Sequence, residues 1–99
     1  MTYIQLLKSK VDGKKYTAFF YDEERKKIKT VHFGAAGMSD FTKHKDEERK
    51  QRYIARHSAN ENWNDYMTAG SLSYHLLWSK PTLSASYNDY IKKFKLKKY

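Results

Sequence analysis

The most informative stretch of the sequence is Val11-Asp12-Gly13-Lys14-Lys15-Tyr16-Thr17-Ala18-Phe19-Phe20-Tyr21. It contains an Asp-Gly pair, which favours a tight hairpin turn because the turn positions require positive φ. The residues that follow the pair are mainly β-branched and aromatic, as is typical of a strand. We therefore predict a hairpin whose strands run from Tyr3 to Lys10 and from Lys15 to Asp22.

A third strand is predicted after the charged turn at residues 22–26. Residues 27–33 alternate partly between apolar and polar side chains, which is the pattern of a half-buried strand. Gly34 and Gly37 then break the pattern and mark a bend. The first 34 residues are therefore predicted to form a three-stranded antiparallel meander, and residues 35–45 a structured loop.

Residues 46–99 are predicted to be helical with a basic C-terminal tail. Acidic residues from Asp46 precede basic ones, as suits the helix dipole. Thr68 marks the start of a second helix, which Pro81 ends, and Thr82 can cap a third helix. That third helix has one apolar face, made of Leu83, Tyr87, Tyr90, Ile91 and Phe94. The prediction is a single α+β domain over residues 1–99, in which the meander is followed by two or three helices.

The composition narrows the range of functions. The chain has 99 residues, with 20 Lys and Arg against 11 Asp and Glu, giving a net charge of +9. Such a charge attracts phosphates, anionic lipid headgroups or acidic protein surfaces. No cysteine is present, which excludes disulfides and thiolate chemistry. There is no apolar run of about 18 residues to span a membrane, and the N-terminus resembles a strand more than a signal peptide.

The sequence does not indicate catalysis. His32, His44, His57 and His75 are too widely spaced to place two imidazoles on one ion by local geometry. His57 is predicted to close a helix, and His32 to be a half-buried strand residue. The serines lack nucleophile-elbow glycines, and the glycines at 34 and 37 lack a Walker ending. We therefore expect no enzymatic activity, no metal site and no cofactor.

The basic residues are the candidates for binding. Arg49, Arg52 and Arg56 lie at helical offsets of three and seven, so they share a face. Arginine presents a rigid fork of donors that suits phosphate or carboxylate. The residues predicted to bind anions or a partner are Lys45, Arg49, Arg52, Arg56, Lys92, Lys93, Lys95, Lys97 and Lys98.

A second interpretation of the basic helix is a solvated face. Its charges would then pair along the helix at the i, i+4 spacing, as in Asp46–Lys50 and Glu48–Arg52. The sequence alone leaves both interpretations open.

Aromatic side chains make up 16% of the residues and are expected to supply both the core and the contacts with a partner. Which rings belong to the core and which to an interface is not fixed by the sequence. The candidates for contact with a partner are Tyr21, Trp63, Tyr74, Trp78 and Tyr99.

About two thirds of the chain, from residue 31 onwards, carries a recognisable ordered set of residues. The set is His32-Phe33-Gly34, Ser39-Asp40-Phe41-Thr42-x-His44-Lys45-Asp46, Arg49-Lys50, Tyr53, Arg56-His57, Glu61-x-Trp63, Thr68-Ala69-Gly70, Leu72-Ser73 and Leu76-Leu77-Trp78-x-Lys80. In these residues the chain resembles small uncharacterised proteins encoded by large double-stranded DNA viruses of algae and protists (nucleocytoplasmic large DNA viruses) and their relatives. It departs from them at Tyr74, where a basic residue is frequent.

The resemblance implies a viral setting and no particular activity. Particles of such viruses use small proteins as cement between capsomers and membrane, and basic proteins to package DNA. The leading expectation is a minor capsid component, in the virion or the host cytoplasm, that packs against acidic proteins or lipid headgroups. The alternative is a protein that binds DNA or RNA through phosphate contacts and base stacking.

Overall fold

The fold is α+β, as predicted. In the computed structural model, which describes all of residues 1–99, three antiparallel strands come first: β1 (Tyr3–Lys8), β2 (Lys14–Tyr21) and β3 (Lys27–Ala35). The connection between β1 and β2 spans residues 9–13: β1 ends two residues before the predicted Lys10, and β2 begins one residue before the predicted Lys15. Within the Asp-Gly pair only Gly13 has positive φ, at 83°.

The sheet has a fourth strand that the prediction omitted. The strand β4 (Lys97–Lys98) pairs in parallel with β1, so the sheet order is β3-β2-β1-β4. Two backbone hydrogen bonds flank this pairing, from the Lys97 amide to the Thr2 carbonyl at 3.0 Å and from the Tyr99 amide to the Ile4 carbonyl at 2.9 Å. Part of the basic tail is therefore the edge of the sheet.

The helices lie mainly where they were predicted. They are α1 (Phe41–His44), α2 (Glu47–His57), α3 (Ala69–Ser73), which continues as a π-helical turn (Tyr74–Trp78), and α4 (Leu83–Phe94). The predicted loop 35–45 is corrected: β3 extends to Ala35, and α1 occupies its second half. None of the helices is long and apolar enough to cross a membrane.

Side-chain caps explain where the helices begin. Asp46 accepts hydrogen bonds from the Glu48 and Arg49 amides at the start of α2. Thr68 and Thr82 cap α3 and α4 in the same way, each through its hydroxyl. These caps satisfy amides that have no partner within a helix. Asp40 does the same for α1, so all four helices begin at a side-chain cap next to them in the sequence.

The core lies between the helices and one face of the sheet. Ile4, Phe20 and Phe33 from the strands are fully buried together with Leu72, Leu76 and Tyr90 from the helices. The apolar face predicted for α4 packs against this cluster. Because strand side chains alternate between faces, the residues between these buried positions lie on the opposite face of the sheet.

Buried polar side chains hold residues 58–68, which contain no helix or strand. The Ser71 hydroxyl and the His75 Nε2 both lie within hydrogen-bonding distance of the Trp63 carbonyl, at 2.7 and 2.9 Å. The Tyr90 hydroxyl donates to the Tyr66 carbonyl at 2.5 Å. This connection is therefore fixed to the helices through its backbone.

Gly34 should tolerate alanine poorly. It has a φ of 79°, and an added Cβ would lie 2.9 Å from Leu77 Cδ1 and 3.1 Å from Lys15 Cβ. Gly37 has a φ of 84° but no atom within 4 Å of the same position. We expect Gly34→Ala to lower the free energy of unfolding by about 2–3 kcal/mol and Gly37→Ala by about 1 kcal/mol, measured by urea denaturation. Equal losses would show that the contact with Leu77 is unimportant.

His75 should make the fold less stable in acid. Burial lowers the pKa of this imidazole, because the charged form is disfavoured in the core. As pH falls through about 6.5, the unfolded chain therefore takes up a proton that the folded chain does not. We expect the wild-type free energy of unfolding to fall between about pH 7 and pH 5 more steeply than that of His75→Gln, which keeps an N–H donor without titrating. Parallel pH profiles would contradict this.

Candidate functional site: an open sheet face, basic side chains and a cleft

The predicted basic residues are all exposed, and most have no acidic partner. Lys45, Arg49, Arg52 and Arg56 are exposed in or beside α2, as are the five lysines of the C-terminal segment. Of the nine, Arg52 alone forms an ion pair, with Glu48 at 3.1 Å. The other eight have no ion pair, although Lys93 Nζ lies 5.8 Å from the Phe94 ring centroid and Lys98 Nζ 5.3 Å from that of Tyr87.

The pairs expected for a solvated helix form only in part. Glu48 and Arg52 pair as the spacing suggested, but Asp46 does not pair with Lys50 because its carboxylate caps the helix. The Lys50 Nζ instead lies 4.0 Å from Glu47 Oε1, at the i, i+3 spacing, and donates to the Ser79 carbonyl at 2.8 Å, which joins α2 to the end of the π-helical turn. Internal pairing therefore does not account for the basic face.

The five predicted contact aromatics stack within the protein. Trp63 stacks on Tyr74 with centroids 3.9 Å apart, and Trp78 stacks on Tyr53 at 4.2 Å. Tyr21 is buried, donates its hydroxyl to Gln5 and stacks on Tyr99 at 3.8 Å. The prediction therefore needs correction for Tyr21, whose ring is covered, and Tyr99 is the most exposed of the five.

The outer face of the sheet has a groove of about 200 Å³ that no helix lines. Leu7, Val11 and Phe19 supply its apolar surface, and Leu7 and Val11 are 46% and 42% exposed. Lys8 and Lys10 line it as well, and no carboxylate does. This outer-face groove therefore combines an apolar floor with positive charge.

At the other end of the outer face, rings and a cation lie together. The Arg25 guanidinium lies 4.8 Å from the centroid of the Tyr3 ring and 5.7 Å from that of Tyr99. Lys27 Nζ lies 4.4 Å from the Phe19 centroid. These cations lie against aromatic faces, as cation–π pairs do. Cations therefore lie at both ends of the outer face, and at the Arg25 end they stand beside the carboxylates of Asp22, Glu23 and Glu24.

A second concavity, the α2–α3 cleft, has a volume of about 440 Å³. It is bounded by the start of β2, the end of β3 with the turn that follows, α2, Glu61, and α3 with its π-helical turn. Of the nine predicted basic residues only Arg56 lines it, and Lys14 and Lys15 contribute further positive charge. The outer-face groove and the cleft share no residue.

A buried ion pair lies in the wall of the cleft. Lys15 Nζ lies 2.5 Å from Asp40 Oδ2, and the two side chains are 9% and 3% exposed. Asp40 also accepts hydrogen bonds from the Thr42 amide, at 2.9 Å, and from the Thr42 hydroxyl. The carboxylate thereby caps α1 while it neutralises the lysine.

His57 and Glu61 face each other at the same cleft, with Nδ1 and Oε1 3.7 Å apart. Glu61 also accepts a hydrogen bond from Trp63 Nε1 at 3.3 Å. Burial raises the pKa of the neighbouring Tyr53 phenol to about 12, so Tyr53 is a neutral wall at physiological pH. No group of three or more His, Asp or Glu side chains converges in a way that could hold a metal ion.

The sequence prediction missed most residues of both concavities. The apolar spacing of Leu7 and Val11 was interpreted only as part of a strand and a turn, and Lys15 and Asp40 were not connected. The sequence does carry a signal at Lys15, because a lysine within an aromatic strand is unusual and suggests a buried partner. For the rest, the contacts join segments far apart in the chain.

Lys15 should be essential to stability, although it is charged. Removing one partner of a buried pair leaves the other charge without compensation. We expect Lys15→Met to lower the free energy of unfolding by about 3 kcal/mol or more, and Lys14→Met, at an exposed neighbour, by less than about 0.5 kcal/mol. In urea denaturation, the double variant Lys15→Met/Asp40→Asn should lose less free energy of unfolding than the two single variants lose in sum. Additive losses would mean that the two groups do not interact.

Comparison with known proteins identifies a family but no activity. The sequence model of a family described as "Family of unknown function (DUF5754)" matches residues 4–57, from β1 to the end of α2. The match covers more than half of the chain, so the protein belongs to this family. No curated protein and no solved structure matches the chain.

Proposed function

We propose that this member of the DUF5754 family is a non-enzymatic structural protein of a virion, a minor capsid component that packs its outer sheet face against an acidic surface of another protein. The observation that carries the proposal is the outer-face groove, where exposed apolar side chains adjoin Lys8 and Lys10 without a carboxylate. Exposed apolar surface with a polar rim is typical of a protein interface.

The groove has the size and composition to receive an anchor from a partner. Its volume of about 200 Å³ is suited to one or two side chains, and its floor is apolar. Interfaces derive most of their binding energy from a few side chains buried in such pockets. An apolar or aromatic anchor flanked by Asp or Glu would match both the floor and the lysines at its edge.

The distribution of charge supports an acidic partner. Eight of the nine predicted basic residues have no ion pair, and Arg25 and Lys27 extend positive charge along the outer face. Complementary charge accelerates association and excludes wrong partners more than it adds affinity. The basic surface would therefore guide docking, while the groove supplies contact area.

The aromatic side chains favour a protein partner over nucleic acid. Binding of single strands relies on rings that are free to stack on bases. Trp63, Trp78 and Tyr21 already stack on rings of the same chain. The virion setting of the proposal depends on the sequence resemblance to proteins of large DNA viruses, and the contact surface depends on the groove.

Nucleic-acid binding is the second candidate, and the unpaired cations of α2 and the tail favour it. If it is correct, affinity for DNA should fall linearly with the logarithm of salt concentration, with a slope of about −0.9 for each phosphate contacted. Arg49→Gln should then reduce the slope by about one, and changes in the groove should have no effect.

Quantitative mass spectrometry of purified particles tests the proposal directly. Particles would be assembled with tagged wild type, Leu7→Asp or Ile28→Asp. Leu7 and Ile28 are similarly exposed, at 46% and 49%, and each variant adds one negative charge. The two differ because only Leu7 lines the groove. We expect Leu7→Asp to reduce incorporation by about tenfold or more, as loss of a buried anchor does, and Ile28→Asp to leave it within about twofold.

The remaining outcomes separate the alternatives. Absence of the wild-type protein from particles would exclude the virion role, and equal incorporation of both variants would exclude the groove as the contact surface. Cross-linking of the protein to DNA in the particle, unchanged by Leu7→Asp, would favour the nucleic-acid candidate. Release of the protein with lipid when particles are treated with detergent would point to headgroups as the acidic surface.

A further inference from the structure

We propose that the α2–α3 cleft binds a small organic oxyanion, in which a phosphate or carboxylate group is attached to an apolar body. The proposal concerns a site separate from the outer-face groove and does not depend on the virion role. Its basis is the coincidence in one cavity of unpaired cations, unpaired hydroxyls and an apolar wall.

The size and construction of the cleft suit a small molecule. Its volume of about 440 Å³ falls within the range of ligand sites, which is roughly 300–1,000 Å³. Two of its walls are rigid. Gly34 packs closely against Leu77 and Lys15, and Gly70 leaves room for the Glu61 carboxylate, whose Oε2 would lie 2.1 Å from an added Cβ. The cavity is therefore formed by close backbone packing.

The charge that a ligand meets in the cleft is positive. Both carboxylates at the cleft are engaged within the protein: Asp40 by Lys15 and Thr42, and Glu61 by Trp63. Lys14 and Arg56 also line the cleft, are exposed and form no ion pair. Glu61 keeps its negative charge, so the lining carries three cations (Lys14, Lys15 and Arg56) against two carboxylates and remains net positive. Arg56 can bind an oxyanion through two parallel hydrogen bonds.

Hydroxyl groups complete the polar part of the cleft. Ser39 and Ser73 line it, and neither hydroxyl has a hydrogen-bond partner within the chain. Serine hydroxyls can donate to phosphate or carboxylate oxygens. The polar groups are few and come from separate segments, which is typical of a site that orients one charged group.

The rest of the lining is partly apolar. Leu77 and Phe33 line it together with Trp78, which is held flat against Tyr53 with an interplanar angle of 5°. The neutral Tyr53 phenol adds no charge to this wall. Burying a hydrocarbon or ring here removes apolar surface of both the ligand and the cleft wall from water. Inorganic phosphate would use the cations but not this wall, so it should bind more weakly.

Phenyl phosphate is a suitable probe, and benzoate is its carboxylate analogue. Inorganic phosphate and phenol serve as controls that contain only the oxyanion or only the ring. Titration followed by ¹H–¹⁵N NMR should shift the amides of Gly34, Arg56 and Ser73 and the indole N–H of Trp78. The amides of Leu7 and Thr17, which line the groove and not the cleft, should not move. Comparison of phenyl phosphate with benzoate then identifies the oxyanion that the cleft prefers.

Arg56→Gln and Arg49→Gln are a matched pair of variants, because both remove one charge from α2 and only Arg56 lines the cleft. We expect Arg56→Gln to weaken the binding of phenyl phosphate by about tenfold or more, and Arg49→Gln by less than about twofold. Thermal unfolding confirms that both variants are folded.

Other outcomes would overturn the proposal. Equal weakening by the two variants would show diffuse attraction to the basic surface, and shifts confined to residues outside the cleft would place the site elsewhere. If inorganic phosphate bound as tightly as phenyl phosphate, the apolar wall would make no contribution to binding. Leu7→Asp, which alters only the groove, should leave this titration unchanged, so failure of either site is distinguishable from failure of the other.

Discussion

The buried ion pair between Lys15 and Asp40 is the interaction on which the rest of the fold depends. Removing two charges from water costs several kcal/mol for each ion, so such a pair persists only with good geometry and further hydrogen bonds. Asp40 obtains these from the amide and hydroxyl of Thr42. The pair joins β2 to the start of α1, residues 25 positions apart. It thereby fixes the turn after β3 and the direction in which the helices continue.

The parts of the fold that could be predicted from sequence are those with local causes. The three antiparallel strands follow from alternation and turn residues, and α2, α3 and α4 begin at the caps Asp46, Thr68 and Thr82. A cap acts within three residues of itself, so its effect is visible in a short window of sequence. The half-buried position of His32 and the location of His57 at the end of α2 were predicted correctly for the same reason.

The parts that were missed depend on contacts between distant segments. The strand β4 has only two residues, and it forms because Leu96 is buried in the core and brings the chain end beside β1. The helix α1 has four residues and depends on Asp40, whose partner lies in β2. Likewise, the stacking of Tyr99 on Tyr21 requires β4 to exist first. A count of aromatic residues cannot distinguish such pairs from rings available to a partner.

The use of the acidic residues explains why most basic side chains have no acidic partner. Asp22, Asp40 and Asp46 all accept hydrogen bonds from backbone amides, in a turn or at a helix start. Glu61 is held inside the cleft wall by the Trp63 indole. The three aspartates stabilise the backbone, and of these only Asp40 also forms an ion pair, with the buried Lys15. The net charge of +9 is therefore presented outward in large part by side chains without partners. Glu24, Glu47 and Glu48 pair with Lys26, Lys50 and Arg52, and most of the other lysines and arginines keep no acidic partner. The placement of the acids, more than the number of bases, thus gives this small domain two basic concavities that differ in shape and do not overlap.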